Sequence, residues 1–134
     1  MNYIKSINHI TINTVDIEKS LWFYEKILGL PKLDYIDMDD HKLFYFDLGN
    51  GIRLELIEYQ HKIAFANQHQ QVGAYRHICF ETDNIYELTS KLTENDISII
   101  KQPSFVEKLG YYTMLIQDPN LVEIEFFSKT LKGK

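Results

Sequence analysis

Arginine is nearly missing from this chain: Arg53 and Arg76 are the only two, and the formal net charge is −5. A protein that neutralises phosphates needs a basic face, so this balance argues against a nucleic-acid partner. The lysines are scattered, apart from Lys129, Lys132 and Lys134, which read as a solvated tail. Cysteine is reduced to Cys79. One thiol excludes an internal disulfide and fits a reducing, cytoplasmic setting. No stretch approaches the roughly 18 apolar residues of a membrane span. The N-terminal run, residues 1–7, has no long apolar core either, so neither a signal peptide nor a membrane partner is expected.

What remains is ordinary globular material. The chain has 134 residues, with 45% hydrophobic and 25% charged side chains, enough for one domain with a real core. Residues 7–14 alternate apolar and polar with period two, which marks a half-buried strand. Asp16 can cap a following helix, on which Ile17, Leu21, Tyr24 and Leu28 share one face. Gly29 supplies its stop, with Pro31 just beyond. Three strand-like runs follow at about 32–38, 42–48 and 52–59, and Asn50-Gly51 between the last two is a strong hairpin signal. Residues 60–74 are polar and long for an internal loop, with room for a short helix around 61–67. The pattern then restarts. Residues 75–82 read as a strand, Asn84 and Glu87 as a capping box, and Ile85, Leu88 and Leu92 as a helical face that stops at Asn95. Strands follow near 97–101, 111–117 and 121–127. The expectation is an α+β protein of two βαβββ modules, about 5–59 and 75–128, in one domain covering 1–134.

The repeat carries chemistry. His9 and His77 stand 68 residues apart, each in an alternating strand that leads into a helix. Glu55 and Glu125 stand 70 apart, each central in a later strand. Because side chains alternate across a strand, Ile10, Ile12, Leu54 and Leu56 share a face beneath the first helix. His9, Thr11, Asn13, Arg53 and Glu55 point the other way. In the second module Ile78, Phe80, Ile124 and Phe126 oppose His77, Cys79, Glu81, Glu123 and Glu125. If curved sheets close over this polar face, each carboxylate must find a cation or a proton. A divalent metal would satisfy two imidazoles and two carboxylates together. A lone strand histidine is ordinarily structural; four residues at repeat-related positions are not. His41, His61 and His69 lie in turns or the linker and read as solvated. Cys79 reads as a small wall residue beside His77, with no base indicated to activate it.

The opening Ile-Asn-His-Ile-Thr-Ile and the segment Asp-Ile-Glu-Lys-Ser-Leu-Trp-Phe-Tyr-Glu-Lys-Ile-Leu-Gly-Leu resemble the vicinal oxygen chelate superfamily. So do Arg-Leu-Glu-Leu at 53–56, Arg-His-Ile-Cys-Phe-Glu-Thr-Asp-Asn at 76–84 and Asp-Pro-Asn-Leu-Val-Glu-Ile-Glu-Phe at 118–126. The group includes glyoxalase I, methylmalonyl-CoA epimerase, extradiol dioxygenases and bleomycin-resistance proteins. The resemblance implies a paired-module fold forming a curved, open mixed sheet. It also implies metal ligation by His9, Glu55, His77 and Glu125. The family's usual glycine two residues after Asp-Pro is Leu121 here. That leaves the local register open, with Glu123 on the same face as Glu125.

Of the family's activities, the residues most resemble those of glyoxalase I. The reaction implied converts a thiol–methylglyoxal hemithioacetal to a 2-hydroxyacyl thioester by metal-stabilised enediolate proton transfer. One divalent ion (Zn, Ni, Co, Mn or Fe) is implied, and ligand type does not choose among them. Glu125 is the expected base, with Glu55 the symmetric alternative. Arg53, Thr11, Asn13 and Tyr112 are candidates for contact with a small-molecule substrate, although Arg53 can equally pair with Glu55 or Glu123. An epimerase acting like that on methylmalonyl-CoA uses the same proton abstraction. A metal-free ligand-binding protein of the bleomycin-resistance kind is the alternative from another class. The family's habit of pairing implies a homodimer, with each site completed within one chain or across two.

Overall fold

The computed structural model describes residues 3–63, 70, 72–73 and 75–130. The chain divides into two compact units, residues 1–63 and 64–134. In the first, strand β1 (His9–Asn13) leads into helix α1 (Ile17–Trp22), which continues as a π-helical segment, Phe23–Ile27. Strands β2 (Lys32–Asp37), β3 (His41–Gly49) and β4 (Ile52–Tyr59) follow. The second unit repeats the plan with β5 (Ile78–Glu81), α2 (Ile85–Glu94), β6 (Ile99–Val106), β7 (Tyr111–Gln117) and β8 (Glu123–Ser128). Each unit owns a four-stranded mixed sheet, ordered β1-β4-β3-β2 and β5-β8-β7-β6. This is the expected pair of βαβββ modules, with the open sheet divided between them. Among the described residues no helix is long and apolar enough to cross a membrane.

Local chemistry explains the element ends. The Asp16 carboxylate accepts the Lys19 N–H at 3.2 Å, satisfying an otherwise orphaned helix donor. Asn84 accepts the Glu87 N–H at 3.0 Å and donates its side-chain amide to the Glu87 carboxylate at 3.2 Å. Its own backbone N–H goes to Thr82 Oγ1 instead, so the capping box closes through side chains. Asn50 and Gly51 take φ of 55° and 77°, the left-handed pair that a tight β3–β4 hairpin demands.

The core of the first unit gathers Ile12, Leu54, Leu56 and Phe46 beneath the helix, with Ile17, Phe23, Tyr24 and Ile27. The helix face differs from the one read off the sequence. Leu21 and Leu28 are half-buried, whereas Ser20, Phe23 and Ile27 are buried. The wider π turn re-aims the second half of the helix, bringing Phe23 and Ile27 inward beside Tyr24. In the second unit Ile85 and Leu92 of α2 cover Met114, Ile116, Ile124 and Phe126.

Other boundaries moved as well. Strand β5 is half the expected length, and Tyr75, Arg76 and His77 precede it. Residues 61–63 are not helical, and the rest of the helix anticipated at 61–67 falls outside the described residues, as do His69, Lys132 and Lys134.

Candidate functional site

Strand pairing places the first imidazole beside its carboxylate. Strands β1 and β4 run parallel with His9 opposite Arg53 and Thr11 opposite Glu55. Strands β3 and β4 run antiparallel with Tyr45 opposite Glu55. His9, Thr11, Tyr45, Arg53 and Glu55 therefore share the face away from Ile12, Phe46, Leu54 and Leu56. His9 Nε2 stands 3.7 Å from Glu55 Oε1. The same oxygen accepts the Thr11 hydroxyl at 2.8 Å, and the Tyr45 hydroxyl donates to Oε2. Asn8 Oδ1 holds His9 Nδ1 at 2.7 Å and also accepts Arg53 Nη2 at 3.3 Å. The Arg53 guanidinium in turn lies 4.2 Å above the Tyr45 ring centre, a cation–π contact.

The electrostatics follow from this packing. Burial pushes the Glu55 carboxyl upward, but the Tyr45 and Thr11 hydroxyls, then His9 and Arg53, outweigh it and leave it below its ordinary value. The Tyr45 phenol is raised, first by burial and then by Glu55.

The second unit builds the same frame from other side chains. Strands β5 and β8 are parallel, with Cys79 opposite Glu125, and Leu115 of β7 pairs with Glu125 from the other side. His77 Nε2 stands 3.3 Å from Glu125 Oε1. Two ligands bonded to one ion at about 2.0–2.2 Å lie roughly 3–4 Å apart, so each pair has the spacing that a shared cation would bridge. His77 Nδ1 is buried and finds no hydrogen-bond partner among the described residues, unlike the tethered Nδ1 of His9. The Cys79 thiol is pushed up to about 12 by burial and then by the Glu125 carboxylate to which it donates. That opposes thiolate chemistry.

Glu123 lies two residues before Glu125 on the same strand. It is buried and ion-paired with Arg76, whose Nη1 lies 3.0 Å from Glu123 Oε1. The turn before it is formed by Asp118, whose carboxylate accepts the N–H groups of Asn120 and Val122 at 2.7 and 2.9 Å. Leu121 completes it at φ 65°, the left-handed region where a glycine would be unstrained.

The four histidine and glutamate candidates thus come together as two pairs. Among the described residues no three His, Cys, Asp or Glu gather closely enough to hold a metal ion. Thr11 lies on the expected face, but its hydroxyl is spent on Glu55. Asn13 is exposed on that face. Tyr112, also a candidate for substrate contact, lies on the face opposite to that of Glu125. It pairs with Ser128 on the face of Met114 and Phe126, and it meets Phe105 edge-on at 5.2 Å. Its neighbour Tyr111, packed at a tilt against Phe127 with ring centres 4.7 Å apart, occupies the Glu125 face. His41 is not a bare turn residue either. It begins β3, with Nδ1 2.6 Å from Asp40 Oδ1.

Three participants were missed in the sequence: Asn8, Tyr45 and Arg76. Adjacency to His9 and His77 was the available signal for Asn8 and Arg76. Tyr45 had none, because a regular hairpin around Asn50-Gly51 would set Phe46 opposite Glu55. A bulge between Asp47 and Gly49 shifts the pairing by one residue.

Comparison with known proteins gives a consistent likeness. A family model described as Glyoxalase/Bleomycin resistance protein/Dioxygenase superfamily matches residues 6–126. The mitochondrial methylmalonyl-CoA epimerase of Bos taurus is 26% identical over 128 residues, covering 89% of this chain and 73% of that protein. A lactoylglutathione lyase of Neisseria meningitidis is 24% identical over 124 residues, covering 90% and 88%. Among solved structures, the trypanothione-dependent glyoxalase I of Leishmania major superimposes with a TM-score of 0.75 at 22% identity, covering 94% of this chain and 88% of that one.

Proposed function

The chain belongs to the Glyoxalase/Bleomycin resistance protein/Dioxygenase superfamily, and from that premise we propose that it is a metal-dependent lyase of the glyoxalase I type. The substrate class is a thiol–methylglyoxal hemithioacetal, isomerised to a 2-hydroxyacyl thioester. One observation carries the reading: each unit presents a histidine Nε2 beside a glutamate at the equivalent strand position. A purely ligand-sequestering protein has no use for that duplicated set. His9, Glu55, His77 and Glu125 together would hold one divalent ion. When bound, it supplies Lewis acidity that steadies negative charge developing on two neighbouring substrate oxygens.

The chain's own residues do the rest. Glu125 takes the proton from the carbon that bears sulfur and hydroxyl, and returns it to the adjacent former carbonyl carbon, while the hydroxyl proton passes to the former carbonyl oxygen. The reaction is a redox-neutral isomerisation, so no co-reactant is consumed. Arg53, half-buried beside Tyr45, is the cation available to an anionic part of the substrate. A second reading, an epimerase acting like that on methylmalonyl-CoA, is favoured by the Bos taurus relative. It requires the same base.

Metal analysis of the purified protein comes first, and one divalent ion per chain is expected. Assays with hemithioacetals of several thiols, beside methylmalonyl-CoA, then separate lyase from epimerase. Glu125→Gln should lower kcat about 10²–10⁴-fold with little change in KM. Equal losses in turnover and substrate binding would refute the base role, and a protein that never takes up metal would refute the whole reading. Light scattering on the same preparation checks the homodimer that this reading includes.

A further inference from the structure

The two units restrain their carboxylates very differently, and we infer that Tyr45 and Thr11 are positioning residues that lock Glu55, leaving Glu125 as the carboxylate free to move a proton. This rests on the proposed function for the proton transfer, though not for the lock itself.

The comparison is controlled by register. Glu55 stands between Thr11 on the parallel neighbour and Tyr45 on the antiparallel one. Glu125 stands between Cys79 and Leu115 in the same two places. In the first unit each carboxylate oxygen receives its own hydroxyl, Oε1 from Thr11 at 2.8 Å and Oε2 from Tyr45. Rotation of the Glu55 carboxylate would break both bonds at once. Tyr45 is itself held, buried and capped by the Arg53 guanidinium 4.2 Å from its ring centre. Arg53 shares Asn8 Oδ1 with His9 Nδ1, so the lock extends to the histidine. In the second unit a thiol, a weak donor, replaces the threonine hydroxyl, and leucine donates nothing. The Glu55 side chain is 9% exposed and that of Glu125 29%, so Glu125 also has room to swing.

A metal ligand that doubles as a base must leave its resting orientation during each turnover. A carboxylate strapped by two hydroxyls, one of them from the buried Tyr45, cannot do so cheaply. Partners of this kind around a ligand also tune metal affinity, by about 10–100-fold on removal. The duplicated scaffold therefore carries two chemically identical carboxylates but assigns them separate duties.

The test uses the full chain and isosteric changes that keep the packing. Side-chain ¹³C relaxation in the metal-free protein should find Glu55 rigid and Glu125 mobile. In Tyr45→Phe/Thr11→Val, Glu55 should become as mobile as Glu125. At saturating metal, placing Glu125→Gln in that double-variant background should recover at least about 10-fold of the turnover that Glu125→Gln loses alone, as the released Glu55 takes over. The inference is overturned if Glu55 is already as mobile as Glu125 in the unaltered protein. It is also overturned if losing the hydroxyls simply multiplies the Glu125→Gln defect. Should no hemithioacetal or CoA thioester be turned over, the proposed function fails, while the relaxation data still decide the lock.

Discussion

Arg76 and Glu123 form an ion pair whose partners are unequally buried, so removing one should cost more than removing the other. Their side chains are 41% and 3% exposed, with 3.0 Å between Nη1 and Oε1. Arg76→Met strands a carboxylate in the interior. Breaking a fully enclosed pair in this way costs about 3–5 kcal/mol. Arg76 is already partly in water, which weakens the pair, and Glu123 keeps further interactions. The expected loss is therefore about 2 kcal/mol, or roughly 6–8 °C in Tm for a chain of this size. Glu123→Gln instead leaves a guanidinium that water can solvate, and its amide can still accept a hydrogen bond. That change should cost about 1 kcal/mol or less. The double variant should match Glu123→Gln rather than the sum, because no buried charge remains. Urea unfolding with unchanged m-values measures all three. Equal losses from the two single variants, or strict additivity, would refute the reasoning. Metal content read on the same samples should be normal in all of them. A Glu123→Gln protein that loses its metal would transfer the ligand role from Glu125 to Glu123.

Further outcomes follow from the same geometry. In the metal-free protein Glu55 sits below its ordinary value of 4.5. Its ionised form is therefore favoured by folding, a contribution present above pH ~4.5 and lost as pH falls through the depressed value. Tyr45→Phe should flatten that acid-side loss in a pH series of thermal melts; an unchanged slope would place the stabilisation elsewhere. Leu121 is strained at φ 65° and 72% exposed. Leu121→Gly should relieve about 1–2 kcal/mol of backbone cost, offset by about 0.5–1 kcal/mol of lost chain freedom. A Tm rise of a few degrees is expected, and a fall would show that the side chain contributes packing. The Cys79 thiol, raised to about 12, should be alkylated about 10–100-fold more slowly than an ordinary thiol at pH 8. Glu125→Gln should speed that reaction, and a fast thiol in the unaltered protein would contradict the contact with Glu125.

Features that depend on neighbours in the chain were legible in the residues themselves. Asp16 and Asn84 announced their helices because a cap needs one side-chain acceptor three residues from its donor. Asn50-Gly51 announced a hairpin because few residue pairs accept two left-handed conformations in succession. Period-two alternation put His9 opposite Ile10 and Ile12, and Glu55 opposite Leu54 and Leu56. The repeat spacing then singled out His77 and Glu125. What the string of residues left open was set by pairing between distant segments. The bulge at Asp47–Gly49 decided that Tyr45, rather than Phe46, would stand beside Glu55. The phase of β7 decided that Tyr111, and not Tyr112, would face the same way as Glu125. The π turn decided which residues of Phe23–Ile27 were buried, and Arg76 decided what Glu123 would do. Alternation fixes sides only up to a shift of one residue. That shift is chosen by the packing of whole strands, so the tertiary structure alone could say which hydroxyls reach which carboxylate.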